Sequence, residues 1–253
     1  MNFIGFFSVY NKEVKRFLKV YNQTLLSPVV NALLFLAIFM LAIGKKISFG
    51  PDISFGEFMA PGLIAMVIVQ NSFANSSSSI TMAKVLGHII DFLIPPLSAL
   101  NLSAAICLAA LTRGILVGII AYFAISFFIP LSIHSWTHTI IYFILISFAL
   151  GASGLLCGLF ANSFDQMSAV TSYVITPLSF LSGTFYSVKS LPEFWYNFSH
   201  FNPFFYMIDG LRYGIIGYHD GNLTIGMVYL LILNIILLTT CIIWLKSGYR
   251  IKN

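Results

Sequence analysis

The chain has 253 residues, of which 58% are hydrophobic and 8% are charged, and its mean hydropathy is +0.92. Soluble domains carry about a quarter charged residues, so this composition cannot cover a water-facing surface and excludes an ordinary soluble enzyme. The formal net charge of +5 is too small to mark a nucleic-acid footprint, and no nucleic-acid partner is expected. Cys107, Cys157 and Cys241 all lie inside apolar runs without metal-ligand spacing and read as small hydrophobes in membrane helices.

The first element is amphipathic. Phe6, Phe7, Tyr10, Val14, Phe17, Leu18 and Tyr21 recur at helical spacing, and Lys12, Lys15, Arg16 and Lys19 occupy the other positions. Residues 1–22 are therefore expected to form a helix lying in the headgroup plane with a basic face. No basic region precedes the first apolar residues and no small-residue cleavage site follows them, so the first span is expected to serve as its own insertion signal.

A hydrocarbon core about 30 Å thick needs about 20 apolar residues in a helix. Six runs qualify approximately: Leu25–Ile43, Phe58–Ser76, Leu102–Phe128, Thr139–Phe160, Ala169–Phe185 and Ile225–Leu245. They are continuous rather than alternating, which favours helices over a β-barrel. The expected fold is all-α, a single polytopic transmembrane domain of six helices over residues 1–253. With both termini cytoplasmic, Lys12, Lys15, Arg16, Lys19, Lys84, Arg113, Lys246, Arg250 and Lys252 fall inside. Lys45, Lys46, Lys189 and Arg212 then fall outside, in keeping with the positive-inside rule.

Two connections stand out. Residues 77–101 form a cytoplasmic loop in which Val85, Ile89, Phe92 and Leu93 can line one face of a short helix before Pro95-Pro96. Residues 186–224 lie outside and include "FFYMIDGLRYGIIG", interrupted by Asp209 and Arg212 and too close to the last span for a full crossing. Pro177 and Gly183 weaken the fifth helix ahead of it. A helix that enters the outer leaflet and turns back accounts for this pattern, and the surrounding Phe, Tyr and Trp suit the outer interface.

The chemistry of an autonomous enzyme or pump is missing from the sequence. Nothing matches a phosphate-binding G-x-x-x-x-G-K-[ST] loop or an H-E-x-x-H zinc helix. His88, His134, His138, His200 and His219 sit in or beside loops, and no metal site is expected. Asp52, Glu57, Asp91, Asp165, Glu193, Asp209 and Asp220 fall at ends or in loops, whereas an ion-coupled pump places carboxylates mid-membrane. "GASG" at Gly151–Gly154 has the form used by rhomboid intramembrane proteases, with Ser153 as nucleophile, but neither later span carries a histidine base; close helix packing is the stronger reading. Asp165 is expected to cap the fifth helix.

The sequence resembles the membrane subunits of type-2 ABC transporters, the bacterial exporter permeases. The matching residues are Pro177, Gly183, Phe185-Tyr186-Ser187, Leu191-Pro192, Trp195, Asn202-Pro203, Tyr206, Gly210, Arg212 and Tyr213, with "FMAPGLIAM" (Phe58–Met66), Lys84, Asp91, Pro95, "TRG" (Thr112–Gly114) and "LFANSFDQM" (Leu159–Met167) ahead of them. A single charge at Ile90-Asp91 replaces the acidic pair common in the family. The resemblance implies a homodimer bound to two copies of a separate ATPase subunit, which would carry ATP and Mg, with no cofactor on this chain. It implies coupling to that ATPase through Lys84, His88, Asp91, Pro95 and Arg16. It also implies an external gate at Gly183, Tyr186, Pro192, Trp195, Asn202, Pro203 and Arg212. The first and fifth spans would form the dimer seam, where Thr24, Ser27, Asn31, Ser172, Thr176 and Ser179 could line a pathway. The expected activity is export of a lipid, lipid-linked glycan or amphipathic compound across the bacterial inner membrane. A rhomboid-like protease and a passive channel or carrier are the alternatives.

Overall fold

The computed structural model of the protein describes residues 3–42, 53–89 and 97–248. In chain order, α1 is Phe3–Leu18, α2 is Asn22–Ala42, α3 is Phe55–Val85, α4 is Ala99–Ser126 and α5 is Trp136–Phe160. Helix α6 runs through three consecutive pieces, Phe164–Val170, Thr171–Ile175 and Thr176–Leu181. Then come α7 (Glu193–Phe201), α8 (Pro203–Ile216) and α9 (Leu223–Ser247). The all-α class holds for the described residues. Among them, five helices are long and apolar enough to cross a bilayer: α2, α3, α4, α5 and α9. The fifth expected crossing, Ala169–Phe185, is instead α6. Asp165, Gln166 and the hydroxyls of Ser168, Thr171, Ser172, Thr176 and Ser179 keep it below that combination of length and hydropathy.

Helix α3 corrects the expected boundary of the loop at 77–101. The serine run at Ser76–Ser79 looks like a connection, but the helix continues to Val85. Two of its polar side chains find helix carbonyls: Asn71 Nδ2 donates to Val67 O at 2.9 Å and Ser77 Oγ to Phe73 O at 2.8 Å. At the other side Ser98 Oγ accepts from Asn101 N and starts α4 at Ala99. The connection is thus 86–98, of which 90–96, with Asp91, Phe92, Leu93 and Pro95, lies outside the described residues. Lys45, Lys46, Asp52, Arg250 and Lys252 also lie outside them.

Two helices carry the same local irregularity. In α2 a π turn spans Asn22–Leu26 just before Ser27-Pro28, and in α6 one spans Thr171–Ile175 just before Thr176-Pro177. A proline inside a helix lacks its N–H and crowds the carbonyl four residues earlier. An extra residue in the preceding turn relieves that conflict without ending the helix. Ser163, rather than Asp165, caps α6, its Oγ accepting from Gln166 N at 3.3 Å; Asp165 sits in the first turn, where the helix dipole favours it.

Helix α3 forms the centre of the bundle, packed by α4, α5, α8 and α2. Small residues permit this closeness. A Cβ on Gly154 would stand 2.3 Å from the Phe73 carbonyl oxygen, so α5 touches α3 backbone to backbone. The "GASG" sequence is therefore a helix contact. Helix α1 lies across α4 and α3, with Tyr10 Oη and Thr112 Oγ1 2.9 Å apart. Its buried residues are Val9, Glu13 and Phe17, while Phe7, Leu18 and Tyr21, expected on the apolar face, are exposed. The end of the bundle bearing α1, Val85 and Phe160 is called proximal below, and the end bearing Phe55, Trp136 and Leu223 distal.

Helices α7 and α8 form a hairpin at the distal end. Asn202 ends α7, and its Oδ1 accepts from Phe204 N at 3.0 Å to open α8 with Pro203 in the first turn. Helix α8 runs antiparallel to α5. Gly214 O and Ile215 O accept from Ser135 N and His134 N, while Gly210 lies beside the Tyr142 ring further along α5. Phe204 to Arg212 are all buried.

Candidate functional site

At the distal end a buried polar node joins three segments. Arg212, 1% exposed, donates from Nε to Phe58 O at 3.2 Å and from a terminal nitrogen to Gly183 O, and its guanidinium lies 4.0 Å from the Phe58 ring centroid. Gly183 has φ +77°, a conformation that costs other residues, and it presents this carbonyl just after α6 ends. One turn back on α8, Asp209 accepts from Asp220 N at 2.6 Å and Gly221 N at 2.9 Å. Asp220 in turn accepts from Ser187 Oγ at 2.8 Å, Val188 N at 2.9 Å and Tyr218 Oη at 3.0 Å. Burial raises the Tyr218 phenol above its ordinary pKa, and the Asp220 charge adds to this, so the hydroxyl stays a donor. Each buried polar group named here has a partner, and together they tie the exit of α6, the helix α8 and the α8–α9 turn into one unit.

The remaining external residues surround that node. Asn202 Nδ2 donates to Ser182 Oγ at 2.8 Å, and Tyr186 Oη donates to Leu181 O at 2.8 Å. Pro192 precedes α7, Trp195 is about half exposed on it, and both Tyr186 and Trp195 border a crevice of about 230 Å³. Asp209 and Asp220 are loop-like in the sequence; the structure makes them the hubs, and the signal for this is weak because their donors are backbone N–H groups.

At the proximal end Lys84 crosses from α3 to the next hairpin. Its Nζ donates to Leu159 O at 2.9 Å, Ala161 O at 2.8 Å and Asn162 Oδ1 at 2.9 Å, closing the carbonyl end of α5. Asn162 N donates to Gln166 Oε1 at 2.8 Å, so the same lysine is joined to the start of α6. Arg16 lies across α3: Nε donates to Glu13 Oε2 at 3.0 Å, and the terminal nitrogens donate to Ser78 Oγ at 3.1 Å and Asn75 O at 2.7 Å. Glu13, fully buried, takes Ser79 Oγ at 2.7 Å on its other oxygen. His88 lies in the turn after α3, near Arg16; Asp91 and Pro95 lie outside the described residues.

Arg113 departs from the expected inside position. It lies midway along α4, 8% exposed, donating to Asn71 Oδ1 at 2.8 Å. Because it lies within an apolar run rather than at a visible break, the sequence offers only its charge as a sign of this burial. The proposed pathway residues separate into groups. Ser27, Asn31 and Ser172 are exposed on α2 and α6, and Thr176 is half-buried. Thr24 donates to Phe17 O at 2.8 Å in the α1–α2 joint, and Ser179 is buried and donates to Ile175 O at 2.7 Å. Helix α2 meets α6 through Phe35 and Phe180, edge to face at 6.3 Å, and meets the segment after α6 through Phe39 and Phe185, stacked at 4.8 Å.

Ser153, half-buried on α5, is not matched with a histidine by the hydrogen bonds of His134, His138, His200 and His219: their partners are backbone groups or Ser135. Among the described residues no cluster of three His, Cys, Asp or Glu side chains has the arrangement to hold a metal ion.

Residues 5–216 match the family model described as ABC-2 type transporter, ABC2_membrane. The chain is also 37% identical over 245 residues to the inner membrane transport permease YadH of Escherichia coli (strain K12), covering 96% of both chains. The proteins of the same name from Escherichia coli O157:H7 and Shigella flexneri match to the same extent. With its long apolar helices and a match across nearly its whole length, the chain belongs to the ABC-2 type transporter family of membrane permeases.

Proposed function

We propose that this protein is the membrane subunit of an ATP-driven exporter in the bacterial cytoplasmic membrane. It works as a homodimer with two copies of a separate ATPase, which binds ATP and Mg. In this reading α6 completes a set of six crossings, both termini are cytoplasmic, and the proximal end faces the cytoplasm. Residues 1–22 lie at the inner interface, 77–101 include the coupling segment, and 186–224 form a re-entrant cap in the outer leaflet. The cargo is a lipid, a lipid-linked glycan or an amphipathic compound.

The observation that carries this reading is the line of polar tethers from one end of the bundle to the other. Force applied to the connection 86–98, through His88, Asp91 and Pro95, reaches Lys84. Lys84 grips the α5 carbonyl end and Asn162 beside the α6 N-terminus. Helix α6 contains a π turn and Pro177, both sites where a helix bends. Its far end presents Gly183 O to the buried Arg212 of α8. Motion at the cytoplasmic connection thus has a route to Gly183, Tyr186, Pro192, Trp195, Asn202, Pro203 and Arg212 at the external gate. The exposed Ser27, Asn31 and Ser172, with Thr176, face the seam along which cargo passes; Arg16 anchors α1 to the same moving end.

The test is purification in mild detergent followed by reconstitution with the ATPase that accompanies the chain. ATP-dependent movement of a labelled lipid is expected. The Lys84→Ala/Asp91→Ala double variant should insert normally and transport poorly. Cargo movement by this chain alone, or undiminished transport by the double variant, would overturn the reading. Loss of activity in Ser153→Ala with an intact fold would favour the protease alternative.

A further inference from the structure

Arg113 is a buried cation with no carboxylate beside it among the described residues. Its hydrogen-bond partner there is the neutral Asn71 Oδ1 at 2.8 Å, and its Nε has none. We infer that the joint of α1, α3 and α4 binds a single halide ion, chloride, held by Arg113 Nε and the side-chain amide of Asn75. The inference needs only that the bundle spans a membrane and is independent of what is transported.

Depth is the first argument. Counted from Ala99 on α4, or back from Val85 on α3, Arg113 and Asn71 each lie ~21 Å from the proximal end of their helix. Asn71 is also ~24 Å from Phe55 at the distal end, within a hydrocarbon core of about 30 Å. Arginine keeps its proton in proteins, and a lone charge at this depth is costly. The second argument is that the described carboxylates are engaged elsewhere. Glu13 has one oxygen on Arg16 and the other on Ser79. Glu57 accepts from Ser54 N at the start of α3, and Asp209 and Asp220 belong to the distal node. Asp165 and Glu193 are exposed in the first turns of α6 and α7. The third is that the groups left over are donors. Arg113 holds Asn71 and Arg16 reaches Asn75 O, one turn apart on α3, where Cβ atoms are ~5–6 Å apart. Asn75 is fully buried, and its Nδ2 has no acceptor; the neighbouring hydroxyls of Ser72 and Ser76 are also unpartnered. Unmade hydrogen bonds at buried groups mark the place of a water or an ion. A water molecule satisfies the N–H groups but leaves the charge, whereas a halide answers both. Arg113 keeps 8% of its surface accessible, against 1% for Arg212, so room remains beside it. An ion there joins α4 to the turn of α3 that α1 crosses.

The test uses the full chain in detergent, unfolded thermally in sodium chloride or in sodium gluconate of equal ionic strength. Chloride should raise Tm in a saturating manner, by about 5 °C at a hundredfold excess over Kd. Equilibrium dialysis with radiolabelled chloride should find one ion per chain. Arg113→Gln should unfold at the same temperature in both salts. Asn75→Asp, which puts a carboxylate where the ion would sit, should be as stable in gluconate as the wild type is in chloride. Lys15→Gln, an equal charge change at an exposed position of α1, should keep the full chloride effect. Equal Tm values for the wild type in the two salts, or no bound chloride, would leave water at Arg113 and overturn the site. A chloride effect that survives in Arg113→Gln or in Asn75→Asp would place the ion elsewhere and overturn the assignment. A chloride effect seen only in Asp91→Asn would make that carboxylate the counter-ion and overturn it as well.

Discussion

Helices α3 and α9 both have the length and hydropathy to cross a bilayer, yet they occupy opposite places in the bundle. Within its most apolar stretch α3 is 83% buried, whereas α9, the more apolar helix, is 17% buried. In water the order would be reversed. In lipid there is no hydrophobic gain from hiding leucine, because the acyl chains are as apolar as the side chain. Polar groups gain instead by leaving the lipid for protein partners. Helix α3 brings Asn71, Ser72, Asn75, Ser76, Ser77 and Ser79 into the interior. Helix α9 turns Ile225, Val228, Ile232, Ile235 and Ile243 outward.

Substitutions that act on this contrast should rank accordingly. The largest effect is expected for Arg212→Leu, which leaves Gly183 O and Phe58 O buried without their donor. At roughly 1–3 kcal/mol per abandoned acceptor, a loss of about 3 kcal/mol should appear in thermal unfolding in detergent. Gly154→Val should cost about 2 kcal/mol by forcing α5 away from the Phe73 backbone, read by the same assay. A loss close to that of an exposed site would mean that α3 and α5 are not in backbone contact. Ser163→Ala removes the cap of α6 and should cost about 1 kcal/mol; its signature is faster proteolysis between α5 and α6. Ile235→Ala, 65% exposed on α9, should change stability by less than about 0.5 kcal/mol. A large effect there would show that α9 meets a protein surface rather than lipid.

The π turns of α2 and α6 extend the comparison to the periphery. Both precede a proline by two residues, and both lie in helices with one exposed face. Ser27-Pro28 and Thr176-Pro177 are visible in the sequence as breaks, but the kind of break is not. Proline dictates that one hydrogen bond is lost; whether the helix stops, kinks or takes up an extra residue depends on what packs around it.

Much of the architecture was legible. Long apolar runs located α2, α3, α4, α5 and α9. The serine run of α3 misled because serine marks loops in water, whereas here Ser77 and Ser78 donate to helix carbonyls and Ser79 to Glu13. Glu13 went unnoticed as a partner because it sits among lysines on an apparently solvated face. Arg16 and Ser79 engage it only after α1 folds across α3. Arg212 was visible as an interruption, but its carbonyl acceptors come from α3 and the α6 exit, far away in the chain.

Composition alone determined the solvent of this protein, since 8% charge cannot cover a surface in water. Runs of apolar residues then determined most of the helices, because backbone groups in lipid must be satisfied within the segment. Which helix stands at the centre, and which buried charges meet, was decided only by tertiary structure. Those outcomes depend on pairing polar groups from distant segments, and no local pattern encodes the partner.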